Sequence, residues 1–268
     1  MSRIADTFAR AKAGGRTALM PFVTAGYPTM EITEKTIHAL VDAGADLIEI
    51  GTPFSDPIAD GTTVQRTSQV SLQNGTRLRD CIDLVRRLRA DGVETPFMLM
   101  GYFNPVVKYG IDTYITDAAE AGVDGFIIPD LPIEESDRVR DAARAHGIDL
   151  IYMAAPTTTE SRLDQIGEKG SGFVYCVAVT GVTGARESMS ASLGDYMARV
   201  RQHTDLPLAV GFGISTPEHV AEVGKVADGA IVASAMINYT DAFPLEEQPG
   251  QAARFVRYLL GQEALVQA

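Results

Sequence analysis

The stretch Leu47-Ile48-Glu49-Ile50-Gly51, running into Thr52-Pro53-Phe54-Ser55-Asp56-Pro57-Ile58-Ala59-Asp60-Gly61, sets an apolar strand with one embedded acid directly before a loop with two more. Alternate residues of a strand share a face, so Leu47, Glu49 and Gly51 lie on one side and Ile48 and Ile50 on the other. If the isoleucines pack under outer helices, Glu49 points into a barrel near the strand's C-terminal end, where barrel enzymes hold their chemistry. A carboxylate among Leu and Ile loses solvation, which raises its pKa toward a value suited to proton transfer near neutral pH. The other reading is a structural Glu paired with an interior Lys or Arg, and the strand runs contain no such cation. In the loop, Asp60 before Gly61-Thr62-Thr63 is equally consistent with the N-cap of a following helix.

Outward from this unit, the same rhythm repeats. After a first helix at about Ser2 to Ala13, strand-like runs fall at Ala18–Thr24, Asp46–Gly51, Phe97–Gly101, Gly125–Ile128, Leu150–Ala154, Gly172–Val177, Leu208–Gly211 and Gly229–Val232. Helical stretches separate them at Glu31–Ala43, Leu78–Ala90, Ile111–Ala121, Glu134–His146, Glu160–Glu168, Ser192–His203 and Pro217–Val223. Ala43-Gly44, Ala121-Gly122 and His146-Gly147 place a glycine where a helix ends in a left-handed turn before the next strand. Mostly apolar strands, each followed by a helix, predict an α/β protein: a single (β/α)8 TIM barrel with an extra N-terminal helix, one domain over residues 1–268. An open doubly wound sheet would carry G-x-G-x-x-G after its first strand, but Ala25-Gly26-Tyr27-Pro28 stands there. No sequence repeat stricter than the βα alternation is visible.

With 268 residues, 46% hydrophobic and 22% charged, the chain has the composition of an ordinary globular protein. No apolar run reaches the roughly 18 residues of a membrane span, and Met1–Gly15 lacks the apolar core of a secretory leader. Cys81 and Cys176 form no C-x-x-C pair, so a reducing, cytoplasmic setting is expected. The net charge of −12 opposes nucleic acid and anionic membranes as partners, while backbone N–H groups remain free to hold a small anion. His38, His146, His203 and His219 fall on expected helices without ligand spacing, so no metal site is expected.

Three late loops carry glycine or small residues: Thr180-Gly181-Val182-Thr183-Gly184-Ala185 after the sixth strand, Gly211-Phe212-Gly213-Ile214-Ser215 after the seventh, and Ala233-Ser234 after the eighth. Barrels often bind phosphate at these places, because glycine lets amides approach an anion and a helix N-terminus adds a favourable dipole. A turn also needs glycine, so each pair alone says little; their joint placement points to a phosphorylated small molecule. Tyr175 shares a strand face with Phe173 and Val177, which fits either packing or chemistry.

Together Pro21–Pro28, Glu49–Gly51 with Pro53–Gly61, Met100–Pro105, Pro129–Pro132 and Thr180–Gly184 resemble the tryptophan synthase α family over nearly the whole chain. The resemblance implies a lyase that cleaves indole-3-glycerol phosphate to indole and glyceraldehyde 3-phosphate in L-tryptophan biosynthesis. It implies that Glu49 is the acid/base, that Asp60 faces the indole N–H, that Thr183 orients Asp60 and that Tyr175 sits beside the substrate. Phe22, Met100, Ile127 and Met153 would form the apolar walls, although they also read as ordinary core. Gly184, Gly213, Ala233 and Ser234 would hold the phosphate, with Ala233 replacing the usual glycine and restricting φ while keeping the amide donor. Asp56, Pro57, Asn104 and Pro132 would meet a β subunit that carries pyridoxal phosphate, in an α2β2 heterotetramer. The α chain itself would need no cofactor. Alternatives are a stand-alone lyase with the same chemistry, a barrel isomerase of another sugar phosphate, and a catalytically inactive allosteric subunit.

Overall fold

The computed structural model describes residues 2–178, 186–211 and 213–265, and of residues 186–191 the backbone alone. Eight parallel strands close into a barrel in chain order: β1 Ala18–Thr24, β2 Ile48–Gly51, β3 Phe97–Met100, β4 Gly125–Ile127, β5 Asp149–Ala154, β6 Val174–Val177, β7 Leu208–Gly211 and β8 Gly229–Val232. Closure is made by β1 on β8, with Ala18 opposite Gly229 and Met20 opposite Ile231. Among the described residues no helix is long and apolar enough to cross a membrane.

Helices α1 Arg3–Ala13, α2 Met30–Asp42, α4 Leu78–Ala90, α6 Ile111–Ala121, α7 Asp137–Ala145, α8 Glu160–Lys169 and α10 Pro217–Gly224 occupy the places expected from the sequence, while α9 Arg186–Arg201 begins six residues before the expected Ser192. The expected helix Glu134–His146 is divided into a 3-10 turn, Ile133–Glu135, and α7. Its divider is buried Ser136, whose hydroxyl donates to the Ile133 carbonyl at 2.8 Å and bonds the Tyr152 hydroxyl at 2.6 Å. Four more helices were not expected individually: α3 Thr62–Gln73, α5 Phe103–Tyr109, α11 Ser234–Thr240 and α12 Gln248–Leu259. The sequence of α3, TTVQRTSQVSLQ, hides an amphipathic signal because its buried face is hydroxylic. Thr67, Ser68 and Ser71 are buried and bond to the end of β1 and to the loops after β1 and β2.

Two apolar layers follow from the strand alternation. Ile48 and Ile50 belong to the outer layer under the helices, while Leu47 lies inside with Met20, Met98, Ile127, Ile151, Phe173 and Ile231. Helix α1 stops the lower end of the barrel with Ile4, Phe8 and Ala11. Strand-start glycines make room for it: a Cβ on Gly125 would lie 3.1 Å from Ile4 Cδ1, and one on Gly229 would lie 3.0 Å from the Phe8 ring. Ser2 caps α1 by accepting from the Ala5 amide at 3.3 Å and donates to Asp149 at 2.7 Å, which ties the plug to β5.

At this lower end the structure has a fourfold regularity. Asp46, before β2, accepts from the Leu19 amide of β1 at 2.9 Å, and its own amide donates back to the Leu19 carbonyl at 2.9 Å. Asp124 repeats this with Phe97 of β3, at 2.8 and 3.0 Å, and Asp228 repeats it with Leu208 of β7, at 2.8 Å both ways. Ser171 takes the fourth place against Leu150 of β5, at 3.0 and 3.4 Å. Each side chain therefore satisfies a strand-end donor that would otherwise be unpaired. The three aspartates are each joined by an arginine: Arg16, Arg89 and Arg201.

Candidate active site

The C-terminal ends of the strands bring the expected acids together. Glu49 is fully buried, and neither carboxyl oxygen has a hydrogen-bond partner among the described residues. Its neighbours across the ladders are Phe22 of β1 and Met98 of β3. Burial pushes its pKa from the ordinary 4.5 up to about 8, and the negative charge of nearby Asp60 adds to the rise. An orphaned buried carboxyl costs free energy unless a ligand or proton relieves it, so the feature marks a candidate active site. It also removes the structural ion-pair reading of Glu49.

Asp60 is half-buried, and burial raises its pKa while a hydrogen bond from Tyr102 works against the rise. It does not cap α3: the N-cap is Gly61, with no side-chain cap bond. Instead the loop is held from both sides. The Tyr102 hydroxyl accepts from the Ala59 amide at 2.9 Å, its ring stacks on Phe54 at 5.1 Å, and Gln65 Nε2 donates to the Asp60 carbonyl at 2.8 Å. Tyr102 is a site residue that the sequence reading missed. Its position in the Met100–Pro105 segment, at the end of β3, was the available signal.

Tyr175 enters from β6, and its hydroxyl is driven well above its ordinary pKa by burial, then by the charges of Glu49 and Asp60. All three groups therefore share one electrostatic neighbourhood. Two strand-end glycines admit the aromatic rings: a Cβ on Gly211 would lie 2.9 Å from the Tyr175 ring and hydroxyl, and one on Gly51 would lie 2.4 Å from Phe22 Cζ.

Phe22, Met100 and Asp60 line a narrow cleft with Thr24, Val64 and Tyr102. Ile127 is fully buried in the interior layer. Met153 packs against that layer and borders a separate cavity of ≈ 340 Å³ walled by Ile128–Ile133, Thr158 and Arg162. None of Glu49, Asp60 and Tyr175 lines this larger cavity, so the candidate site is located by its buried carboxyl and not by volume. Gly213 adopts φ +34° and is exposed; Ala233 is the N-cap of α11 and Ser234 its first residue. Thr183 and Gly184 lie outside the described residues. Asp56, Asn104 and Pro132 are exposed and Pro57 is half-buried.

A closed (β/α)8 barrel whose upper end holds a buried carboxyl unpaired among the described residues, a second acid and a tyrosine has the make-up of a barrel enzyme. Residues 8–261 match the family model for the tryptophan synthase alpha chain. The tryptophan synthase alpha chain of Chloroflexus aurantiacus is 53% identical over 264 residues, covering 98% of this chain and 99% of that protein. Its counterpart in Roseiflexus sp. is 53% identical over 261 residues, or 97% of this chain and 100% of that one. A crystal structure of the alpha chain from Legionella pneumophila superposes with TM-score 0.86 at 36% identity, covering 99% of this chain and 100% of that chain. Tryptophan synthase from M. tuberculosis in its aminoacrylate-bound form gives TM-score 0.85 at 31% identity, covering 97% and 100%. The chain belongs to the tryptophan synthase alpha chain family.

Proposed function

We propose that this chain cleaves indole-3-glycerol phosphate to indole and glyceraldehyde 3-phosphate with Glu49 as the acid and base of the reaction. The observation that carries the reading is the fully buried, unpartnered Glu49 carboxyl, held protonated at neutral pH by a pKa of about 8. The protonated carboxyl gives its proton to indole C3. The resulting carboxylate takes the proton of the side-chain hydroxyl as the bond from C3 to the glycerol carbon breaks. The electron pair of that bond returns to the ring, the hydroxyl becomes the aldehyde, and Glu49 recovers its proton. Positive charge built up on the ring after C3 protonation is stabilised by Asp60 at the ring N–H, while Tyr175 packs beside the substrate.

In this reading Phe22, Met100, Ile127 and Met153 wall the ring. Phosphate is held by the amides of Gly184, Gly213, Ala233 and Ser234, with Thr183 orienting Asp60. The chain acts as one domain over residues 1–268, in the cytoplasm, with no cofactor of its own.

A β subunit carrying pyridoxal phosphate would receive the indole in an α2β2 assembly. Support for a partner at the barrel mouth comes from Ile58, 83% exposed, and Val107, 51% exposed, flanking the candidate contacts Asp56, Pro57 and Asn104. Large apolar side chains left in water beside loop prolines suit a covered surface. Indole release from indole-3-glycerol phosphate, measured with and without a tryptophan synthase β subunit, tests both parts. Release that rises at least about tenfold with β is expected. Fast release that ignores β would make the chain a stand-alone lyase, and no release in either condition would remove the assigned reaction.

A further inference from the structure

Helix α3 begins next to Asp60, and α11 begins at Ser234, the end assigned above to the phosphate. The two helices are joined away from both ends by a closed three-cornered contact. Arg66 Nη1 donates to the Tyr27 hydroxyl at 2.6 Å, that hydroxyl donates to Asp241 Oδ1 at 2.8 Å, and Arg66 Nη2 donates to Asp241 Oδ2. The guanidinium lies over the Tyr27 ring, 5.5 Å from its centre. One turn nearer the site, the Thr63 hydroxyl donates to Asn238 Oδ1 at 3.3 Å.

Each corner belongs to a different part of the barrel mouth: Tyr27 to the loop after β1, Arg66 to α3, and Asp241 to the C-cap of α11. Elsewhere along α3, contacts to β1 and its following loop are likewise directional bonds. Thr67 meets Thr24 at 2.7 Å, Ser71 donates to the Ala25 carbonyl at 2.5 Å, and Asn74 donates to the Pro28 carbonyl at 2.7 Å. Apolar surfaces can slide by small steps, whereas a bidentate guanidinium with a shared hydroxyl has one good geometry. A shift of α11 is therefore handed to α3, and through the Gln65 bond to the Asp60 backbone.

We propose that Arg66, with Tyr27 and Asp241, is a positioning group that couples occupation of the phosphate end of α11 to the placement of Asp60. It touches no reacting atom. The proposal rests on the phosphate and Asp60 roles given above, and its test separates the two. Because the chain has no tryptophan, the fluorescence of added indole, excited beyond the tyrosine band, reports its binding without tryptophan background. Indole affinity is measured with and without inorganic phosphate in wild type, Arg66→Met and Arg66→Lys.

In wild type, phosphate is expected to tighten indole binding about fivefold, the low end of ordinary coupling between sites. Arg66→Met should abolish that gain while each ligand alone binds within about twofold of wild type, and its turnover should fall about fivefold at little-changed KM. Arg66→Lys, which keeps the charge but not the fork, should recover only part. If Arg66→Met fails to fold, Tyr27→Phe removes the shared hydroxyl and keeps the ring, and the same loss of coupling is expected. Coupling that survives in the variants, or is missing from a wild type that binds both ligands, would overturn the proposal. A wild type that binds neither ligand would overturn the reading of the site, and this inference with it.

Discussion

Burial of Glu49 ties the stability of the fold to pH. Its pKa in the fold, about 8, stands above the ordinary 4.5, so the folded chain holds the proton more tightly than the unfolded one. Stability therefore falls as pH rises from about 4.5 through about 8, the direction set by the excess of protons on the native state. Glu49→Gln removes this titration, so its melting temperature is expected to match wild type near pH 4.5 and to exceed it increasingly toward pH 8. A constant difference across that range would show that Glu49 is not protonated by its surroundings. In the proposed reaction the same group supplies the acid, so turnover should decline above about pH 8, where the acid form is lost. Tyr175 depends on Gly211 for its space, so Gly211→Ala should displace the ring and lower turnover about tenfold with a smaller loss of stability; unchanged kinetics would mean the ring's position is irrelevant.

Elements were legible where their apolar period was clean and illegible where polar bonds replace it. All eight strands were read close to their observed bounds. The moved start of β2 has a physical cause: Asp46, read as its first residue, lies outside it because its side chain clamps the preceding strand. Helix α3 was read only as a start after Asp60, without an extent, because hydroxyls make up its buried face, and α5 and α11, each 7 residues, are too short to show a period. The fourfold clamp escaped notice because its members are separated by whole βα units and one of the four is serine. Asp124 is its most buried aspartate, sharing Arg89 and Arg3 besides the Phe97 amide. Removing one partner leaves buried donors unpaired, so Asp124→Ala should cost about 3 kcal/mol in chemical denaturation. Its turnover should stay within about twofold of wild type, because the lower end of a barrel serves stability. A large loss of turnover without loss of stability would contradict that division.

Across the whole molecule, the candidate site was legible as single residues before it was legible as a place. Alternation put Glu49 inside and loop position put Asp60 nearby, but their shared neighbourhood with Tyr175 needed the closed barrel, which brings β2 and β6 to one interior. Tyr102 and Arg66 could not be found from spacing, since one acts through a loop amide and the other through a helix two barrel units away. The central claim is that the orphaned carboxyl at the top of this barrel carries both proton transfers. Indole release by Glu49→Gln, alongside wild type and with substrate binding measured in parallel, tests it most directly. The account predicts turnover lower by about 100-fold or more with binding retained; a folded Glu49→Gln protein that releases indole near the wild-type rate would contradict it.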